Sequence, residues 1–252
     1  MNYNWNWNIF FEMSADGRHT WLMTLVIGLG WTMLAAVCAG VIAFLLGSAL
    51  GVMRTTPNKW LVGIGNAYVE LFRNIPLLVQ LFLWFFVLPE LLPKTLGTAI
   101  KQMSPPWASF VPAVIGLGLF TAARVSEQVR AGIGALSRGQ GQAGTALGLT
   151  LSQRYRYVLL PMAYRIIMPP LTSETMNLIK NTSVALTIGL VELTAAARSM
   201  QEFTFQVFEA FTAATVIYII VNLIVVNLMR WLEKSVAVPG FIGPAAVGGG
   251  AH

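Results

Sequence analysis

The sequence predicts an all-α protein that crosses a membrane several times, and its composition is the first evidence. Of its 252 residues, 56% are hydrophobic and only 10% are charged, whereas a soluble domain carries about 25% charged residues. The mean hydropathy is +0.67. The apolar residues gather into runs of about 20 or more, the length that a helix needs to cross a bilayer. Apolar and polar residues do not alternate within these runs, which argues against a barrel of strands.

Five apolar runs are long enough to be membrane spans. The second contains Glu70, Arg73 and Pro76, so we expect its first turns to lie outside the hydrocarbon. The fourth carries Pro169 and Pro170 close to its start. The predicted spans are Thr20 to Val52, Leu61 to Leu92, Phe110 to about Gly134, Ile166 to Leu190, and Phe208 to Trp231.

The basic residues predict how these spans are oriented. The net charge is +6, but the cations stand at the ends of apolar runs instead of clustering on one solvated face, so a membrane is favoured over nucleic acid. Cytoplasmic loops carry the excess of Lys and Arg. With the N-terminus outside and the C-terminus in the cytoplasm, ten basic residues lie inside and four outside. The inner ones are Arg54, Lys59, Arg73, Arg130, Arg138, Arg154, Arg156, Arg165, Arg230 and Lys234; the outer ones are Arg18, Lys94, Lys101 and Arg198.

The two ends of the chain lie outside this pattern of spans. Trp5, Trp7, Phe10 and Phe11 stand among asparagines and follow no basic leader, so the N-terminus is predicted to form a short interfacial helix and not a signal peptide. Residues 1–235 are predicted to form a single transmembrane domain. Residues 236–252, which are rich in Gly and Pro, are predicted to be a flexible cytoplasmic tail.

The longest inner loop, at about 137–161, contains two kinds of pattern. Thr150 and Gln153 have the spacing of a capping box, so a helix should begin after Thr150 and be ended or bent by Pro161. Ahead of it lies a run of small residues from Gly139 to Gly148. Each interior Gly costs a helix about 1 kcal/mol relative to Ala. Either a close backbone approach to another protein or a flexible connector would explain the run.

The same loop also has the spacing of a known family. A glycine after the small residues is followed by Val-x-Leu-Pro, and this resembles the cytoplasmic "EAA" loop of ABC importer permeases. In that family the loop forms a coupling helix that seats in a groove of the ATP-binding subunit. Gln142 stands where the family has a glutamate, so no ionic anchor is implied there. The residues to which the resemblance assigns coupling are Gln142, Ala143, Gly144, Gly148, Val158, Leu160 and Pro161.

Three further stretches resemble the second-, third- and fourth-helix motifs of the polar amino acid permeases. They run over 68–80, 122–140 and 173–183. The resemblance implies the type I ABC importer permease fold with five transmembrane helices, in the bacterial inner (cytoplasmic) membrane. It also implies three partners, namely ATP-binding subunits, a second homologous permease subunit and a periplasmic amino acid binding protein.

The source of energy is predicted to lie in another chain. The sequence contains no G-x-x-x-x-G-K-[ST] phosphate loop. We therefore expect a transport subunit and not an enzyme, with no cofactor of its own and with ATP bound by the partner subunit. Five spans are also too few to enclose a polar path, which predicts a dimer that works by alternating access.

Arg124 and Glu127 lie within the third span, where charges are costly and are candidates for function. Being three residues apart, they share a helix face and could simply neutralise one another. Alternatively, Arg124 binds a carboxylate of the substrate while Glu127 orients Arg124 or binds the substrate ammonium. Most polar amino acid permeases have an aromatic residue in place of Arg124. This departure favours an anionic substrate, because a guanidinium pairs with a carboxylate through two hydrogen bonds. The resemblance as a whole implies that the substrate is an acidic amino acid, glutamate or aspartate.

The fourth span carries a polar run from Glu174 to Ser183. Its members recur three residues apart and so line one helix face. That face either makes hydrogen bonds that hold the dimer together or lines the substrate path. On the second interpretation we assign substrate binding to Lys180, Thr182 and Ser183.

Three other functions stay open. The first is the same machine for another polar amino acid, such as glutamine or a basic one. The second is an ion-coupled secondary transporter, although such folds usually show internal repeats that are absent from this sequence. The third is a structural membrane scaffold, which the polar faces of spans three and four argue against.

Overall fold

The computed structural model of the protein describes residues 3–236, which form a bundle of helices. Two π-helical turns, Leu83–Val87 and Tyr155–Leu159, and two 3-10 helices, Trp7–Phe11 and Thr182–Ile188, join or extend the α-helices. The all-α prediction is confirmed for these residues, while the predicted tail lies outside them except for Val236. The α-helices are α1 (Trp21–Met53), α2 (Lys59–Asn74), α3 (Leu77–Phe82), α4 (Leu88–Leu91), α5 (Lys94–Lys101), α6 (Trp107–Gly134), α7 (Arg138–Ala146), α8 (Leu151–Arg154), α9 (Leu160–Asn181), α10 (Leu193–Thr204) and α11 (Val207–Val236).

Three helices, α1, α6 and α11, are each long and apolar enough to cross a membrane alone. Two bent pairs pass the same test when each pair is taken together. The count therefore reaches the five predicted spans if each bent pair is one span.

The second predicted span, Leu61 to Leu92, is not one continuous helix. Lys59–Asn74 and Leu77–Leu91 meet at an angle of 102°. The bend lies at Pro76, which has no N–H to donate, and Ile75 before it is extended (φ −98°, ψ 126°), as residues before proline usually are.

The fourth span begins earlier than the predicted Ile166, because Leu151–Ile188 is one helical body. The predicted capping box is confirmed: Gln153 Oε1 accepts from the Thr150 N–H at 2.8 Å, and Thr150 Oγ1 accepts in return at 3.3 Å. Pro161, however, does not end the helix. Pro161 follows the π-helical turn Tyr155–Leu159, where the Leu160 N–H donates to the Tyr155 carbonyl. It therefore lies at the start of α9, just after the hydrogen bonds have changed from the α-helical to the π-helical pattern.

Helices α1 and α6 pack in close contact, as the small-xxx-small spacing of Gly47 and Gly51 predicts. A Cβ on Gly47 would lie 2.6 Å from the Cβ of Val125, and a Cβ on Gly51 would lie 2.6 Å from the Cβ of Val129. Both glycines therefore let the two backbones approach. Residue numbers increase together along both helices in these contacts, from Gly47 with Val125 to Gly51 with Val129, so α1 and α6 run parallel.

The N-terminal segment is attached to the start of α11. The Asn6 N–H donates to Glu209 Oε1 at 2.8 Å, and the Tyr3 hydroxyl also donates to this carboxylate. The helix α11 has 30 residues, a length of about 45 Å, so Tyr3 and Val236 lie at opposite ends of the bundle. We call them the N-terminal end and the loop end; α7 lies at the loop end. Opposite termini agree with an odd number of crossings, and the N-terminus-outside orientation stays a prediction.

Candidate functional site

A polar cavity of about 380 Å³ opens between α2, α6 and α9 in the half of the bundle nearer the loop end. We call it the Arg124 cavity. Its lining combines cationic, anionic, amide and aromatic side chains. They are Arg73, Phe120, Arg124, Glu127, Gln128 and Glu174.

Arg124 projects from α6 into this cavity with most of its hydrogen-bonding capacity unused. Its guanidinium carbon lies 5.0 Å from the centre of the Phe120 ring, one helical turn earlier, in a cation–π contact. Its Nη1 is 3.9 Å from Glu174 Oε2, which is too long for a hydrogen bond. The Arg124 side chain is 43% exposed and that of Glu174 is 13% exposed. Arg124 is therefore held in place while its donors still face the cavity.

Glu127 does not pair with Arg124, so the alternative in which these two residues neutralise one another does not hold. Its carboxylate instead contacts Arg54 Nη2 at 2.9 Å, Arg130 Nη2 at 3.0 Å and Arg73 Nη1 at 3.3 Å. Arg54 caps α1, and its side chain is only 7% exposed. The Glu127 carboxylate therefore pairs with these three guanidiniums, and the carboxylate near Arg124 is that of Glu174.

The electrostatics of the cavity suit a negatively charged zwitterion. Arg73 and Arg124 face Glu127 and Glu174 across it, and Arg54 and Arg130 also bind Glu127. Cations thus outnumber carboxylates in the cluster. A ligand with one ammonium and two carboxylates would complement this excess of positive charge.

A second, largely apolar groove, which we call the Lys180 groove, lies between α9, its 3-10 extension, α10 and α11. Its volume is about 590 Å³. The remainder of its wall is apolar. The polar residues that line it are Lys180, Ser183, Thr194, Thr215, Tyr218 and Asn222.

The five residues predicted to bind substrate do not meet in one place within this chain. Arg124 and Glu127 line the Arg124 cavity, and Lys180 and Ser183 line the Lys180 groove. Thr182 lines neither; it is fully buried, and its hydroxyl donates to the Ile179 carbonyl at 2.7 Å. Their roles in binding stay predictions.

Glu174 was missed as a member of the site. The sequence analysis placed it on the polar face of the fourth span but did not pair it with Arg124. A carboxylate at membrane depth would itself have been a sufficient signal. Arg73 was missed because no motif places α2 beside α6.

The predicted coupling loop contains a helix of its own, α7, despite three interior glycines. Gln142, Ala143 and Gly144 lie on it, and it ends before Gly148, whose φ of +75° suits glycine. The resemblance to the importer permeases implied a coupling helix here, whereas the glycine content alone did not indicate one. Val158 lies in the following π-helical turn, and Leu160 and Pro161 begin α9; these are the other residues assigned to coupling.

α7 is attached to the helix that follows it. Arg154 Nη1 donates to Thr145 Oγ1 at 2.7 Å. A Cβ on Gly144 would lie 3.1 Å from Arg154 Cγ, so a glycine at this position leaves room for the Arg154 side chain. Gly139 and Gly141, by contrast, have nothing within 4 Å of a built Cβ in residues 3–236.

The fold and the loop define a transport permease, and the chain belongs to the family of binding-protein-dependent transport system inner membrane components, whose model matches residues 43–238. It is 48% identical over 244 residues to the glutamate/aspartate import permease protein GltJ of Escherichia coli K12, which covers 96% of this chain and 99% of that protein. It is 33% identical over 214 residues to the glutamate/aspartate import permease protein GltK of Escherichia coli O157:H7 (84% and 93% covered). The probable glutamine ABC transporter permease protein GlnM of Bacillus subtilis is 34% identical over 203 residues (81% and 88% covered).

Solved structures agree with the predicted fold class. The crystal structure of an amino acid ABC transporter with histidines matches with a TM-score of 0.70 and 29% identity, covering 85% of this chain and 95% of that one. The MetNI methionine ABC transporter in an inward-facing conformation matches with a TM-score of 0.72 over 90% of this chain and all of that one. Its 19% identity supports the fold alone. The type I ABC importer permease fold is therefore confirmed.

Proposed function

We propose that this chain is the membrane-spanning permease subunit of an ATP-driven importer that carries glutamate and aspartate across the bacterial inner membrane by alternating access. The observation that carries the proposal is Arg124, an arginine at membrane depth whose donors face a cavity and whose nearest carboxylate, on Glu174, is 3.9 Å away. The 48% identity to GltJ supports the same substrate class.

In this proposal the Arg124 guanidinium binds a substrate carboxylate through two parallel hydrogen bonds. Glu174 receives the ammonium group, because its Oε2 is buried and has no hydrogen-bond partner in the described residues. Glu127 is a positioning residue, since three arginines already contact its carboxylate. Thr182 has a structural role: its hydroxyl donates to the Ile179 carbonyl and so holds the start of the 3-10 helix, next to Lys180 and Ser183 in the Lys180 groove.

Coupling to ATP hydrolysis begins at α7, which docks on the ATP-binding subunit. The absence of side chains at Gly139 and Gly141 lets the partner backbone come close, and Leu147 beside them is 79% exposed. Arg154 then ties α7 to the helical body Leu151–Ile188. Since Glu174 lies on that same body, a displacement of α7 moves the substrate-binding wall as one rigid unit.

Three partners follow from this mechanism. ATP-binding subunits supply the energy, because the 252 residues contain no phosphate loop and the chain is a transport subunit without catalysis of its own. A second, homologous permease closes the cavities, since polar groups at membrane depth cannot face lipid. A periplasmic amino acid binding protein delivers substrate to the N-terminal end.

A glutamine importer is the alternative that a specific observation supports, namely the 34% identity to GlnM. The two substrates differ by one charge, which the cation excess of the Arg124 cavity would distinguish. Competition for uptake therefore separates the alternatives.

The test is uptake by the complete transporter in proteoliposomes, with labelled glutamate and with ATP inside the lumen. We expect accumulation that needs ATP, that aspartate inhibits, and that glutamine and arginine leave unchanged. An ionophore that collapses ion gradients should have no effect. Uphill accumulation by the permease without its ATP-binding companions would contradict the proposal.

A further inference from the structure

We infer that α2 is an interfacial helix, which lies in the plane of the membrane surface at the loop end and binds phospholipid acyl chains with its outward face. The partner is a lipid surface, so this role goes beyond the proposed function and does not depend on the substrate. Three features of α2 support it: the polarity of its outward face, the difference between its two edges, and the level of the bundle that each edge contacts.

The outward face of α2 is apolar. Trp60, Ile64 and Leu71 share one side of the helix, because they are four and seven residues apart. Their exposed fractions are 83%, 57% and 57%. Gly65 and Val69, on the opposite side, are buried against the bundle. A row of exposed apolar side chains along a whole helix marks a surface that contacts lipid or protein.

One edge of α2 is polar and faces the loop end of the bundle. Lys59, Asn66 and Arg73 follow one another at intervals of seven residues and so lie on this edge. Asn66 Oδ1 accepts from Arg54 Nε at 2.7 Å, and Arg73 Nη1 lies 3.3 Å from Glu127 Oε1. Arg54 directly follows α1, and Glu127 lies about two turns before the end of α6. Both partners are therefore near the loop end.

The other edge of α2 is largely apolar and faces the middle of the bundle. It carries Leu61, Tyr68 and Phe72, and the rings of Tyr68 and Phe72 stack with 4.4 Å between their centroids. The Tyr68 hydroxyl donates to the Leu119 carbonyl at 2.9 Å. Since α6 ends at the loop end, Leu119 lies about 12 Å farther from that end than Glu127, eight residues later.

The polarity of α2 therefore changes along the axis of the bundle, from a polar edge at the loop end to an apolar edge nearer the middle. A bilayer imposes this gradient, because headgroups and water lie on one side of its interface and acyl chains on the other. A protein covering the outward face would not require it. The helix also begins with Lys59 and Trp60, whose side chains anchor at headgroup level. The 102° bend at Pro76 lets α2 lie across the helical segment that follows.

An interfacial α2 has a consequence for the Arg124 cavity. Arg73 belongs to α2 and lines that cavity. A tilt of the helix would move Lys59 or Arg73 toward the acyl chains, which is costly for a charged group. The lipid interface thus holds this wall of the cavity at a constant depth.

The depth of labelled cysteines in the bilayer tests the inference. Cys38, the only cysteine, is replaced by alanine, and Ile64→Cys and Leu71→Cys are introduced singly. The complete transporter is placed in proteoliposomes of phosphatidylethanolamine and phosphatidylglycerol. Each cysteine carries a nitroxide, whose collision rates with oxygen and with a water-soluble nickel chelate give its depth. We expect both labels to favour oxygen and to lie at equal depth, about 5–10 Å below the headgroup boundary.

The control is a pair of positions on an upright span. Ile224→Cys and Trp231→Cys are seven residues apart and exposed on α11, so their depths should differ by about 10 Å. Trp60→Cys and Ala67→Cys, also seven residues apart on the outward face of α2, provide a second pair in case one variant does not assemble.

Three results would overturn the inference. A difference of about 10 Å between the two α2 labels would mean that the helix is upright. Low collision rates with both reagents would mean that another subunit covers its outward face, and a preference for the nickel chelate would mean that this face meets water. These outcomes do not depend on which amino acid is carried, so the proposed function is tested separately by uptake into the Cys38→Ala proteoliposomes.

Discussion

Arg54 and Glu127 form a hydrogen-bonded ion pair between the end of α1 and α6, with 2.9 Å between Nη2 and Oε1. Arg54 also donates from Nε to Asn66 Oδ1 at 2.7 Å, so one buried guanidinium joins α1, α2 and α6. The pair determines the charge of the neighbouring cavity, because it engages the Glu127 carboxylate and leaves Arg124 facing Glu174.

Removing Arg54 should destabilise the fold. Arg54→Met leaves Glu127 and Asn66 without their main donor, and breaking one side of a buried pair costs about 3–5 kcal/mol. Arg73→Met is the matched control, since the Arg73 side chain is 57% exposed and exposed pairs contribute only about 0–1 kcal/mol. Thermal unfolding of both variants in detergent is the measurement. Equal midpoints for the two would show that the pair contributes no particular stability.

Replacing Arg124 by tyrosine should impair acidic amino acid transport specifically. The loss of a charge-assisted hydrogen bond, about 1.5–3 kcal/mol, predicts a reduction in glutamate uptake efficiency of about tenfold to a hundredfold. ATP hydrolysis stimulated by the binding protein should survive, because α7 is unchanged. Arg198→Tyr serves as the control; that residue pairs with Glu202 on α10, away from both cavities. Unchanged uptake with unchanged selectivity in Arg124→Tyr would reject the role of Arg124.

The close contact of α1 with α6 predicts that replacing glycine by alanine changes the stability differently at two positions of α1. Gly47→Ala places a Cβ 2.6 Å from the Cβ of Val125, and overpacking of this kind costs about 1–3 kcal/mol. Gly30, on the same helix, has nothing within 4 Å, so Gly30→Ala should be neutral or stabilising by up to about 1 kcal/mol. Unfolding midpoints of the purified complex will compare the two, and a similar fall in both would contradict this packing.

The coupling role of α7 can be separated from the stability of the permease. Gly141→Leu should weaken co-purification of the ATP-binding subunit and reduce ATP-dependent uptake, because the side chain prevents a close backbone approach. Gly63→Leu on α2 is the control, since both glycines are open within this chain. The two variants should express equally well. Full co-purification of the ATPase with Gly141→Leu would contradict docking at this face.

Several features were predictable because they depend on neighbours in the chain. Apolar runs identified the long helices, the spacing of Thr150 and Gln153 identified a cap, and Gly47 with Gly51 identified a close helix contact. The cap and the glycine pair each act within about one or two helical turns, and an apolar run acts within one helix, so their physical meaning does not depend on the rest of the fold.

Other features depend on residues that are distant in the chain. Arg54 and Glu127 are 73 residues apart, and neither position suggests the other. The helix α7 forms despite its glycine content, partly through Arg154, which lies eight residues after α7 ends and donates to Thr145. The bend at Pro76 was visible as a break, but its angle of 102° depends on how α2 packs.

Local patterns in the amino-acid chain thus indicate a bundle of apolar helices, the loop at about 137–161 and a set of charges within the predicted spans. Which of those charges remain available to a substrate is decided by packing. A carboxylate pairs with the guanidiniums that the fold brings within about 3–4 Å. For Glu127 these are Arg54 and Arg73 from other helices and Arg130 on its own helix, and not Arg124 three residues before it. Electrostatic pairing follows distance in space, and only the folded bundle fixes that distance.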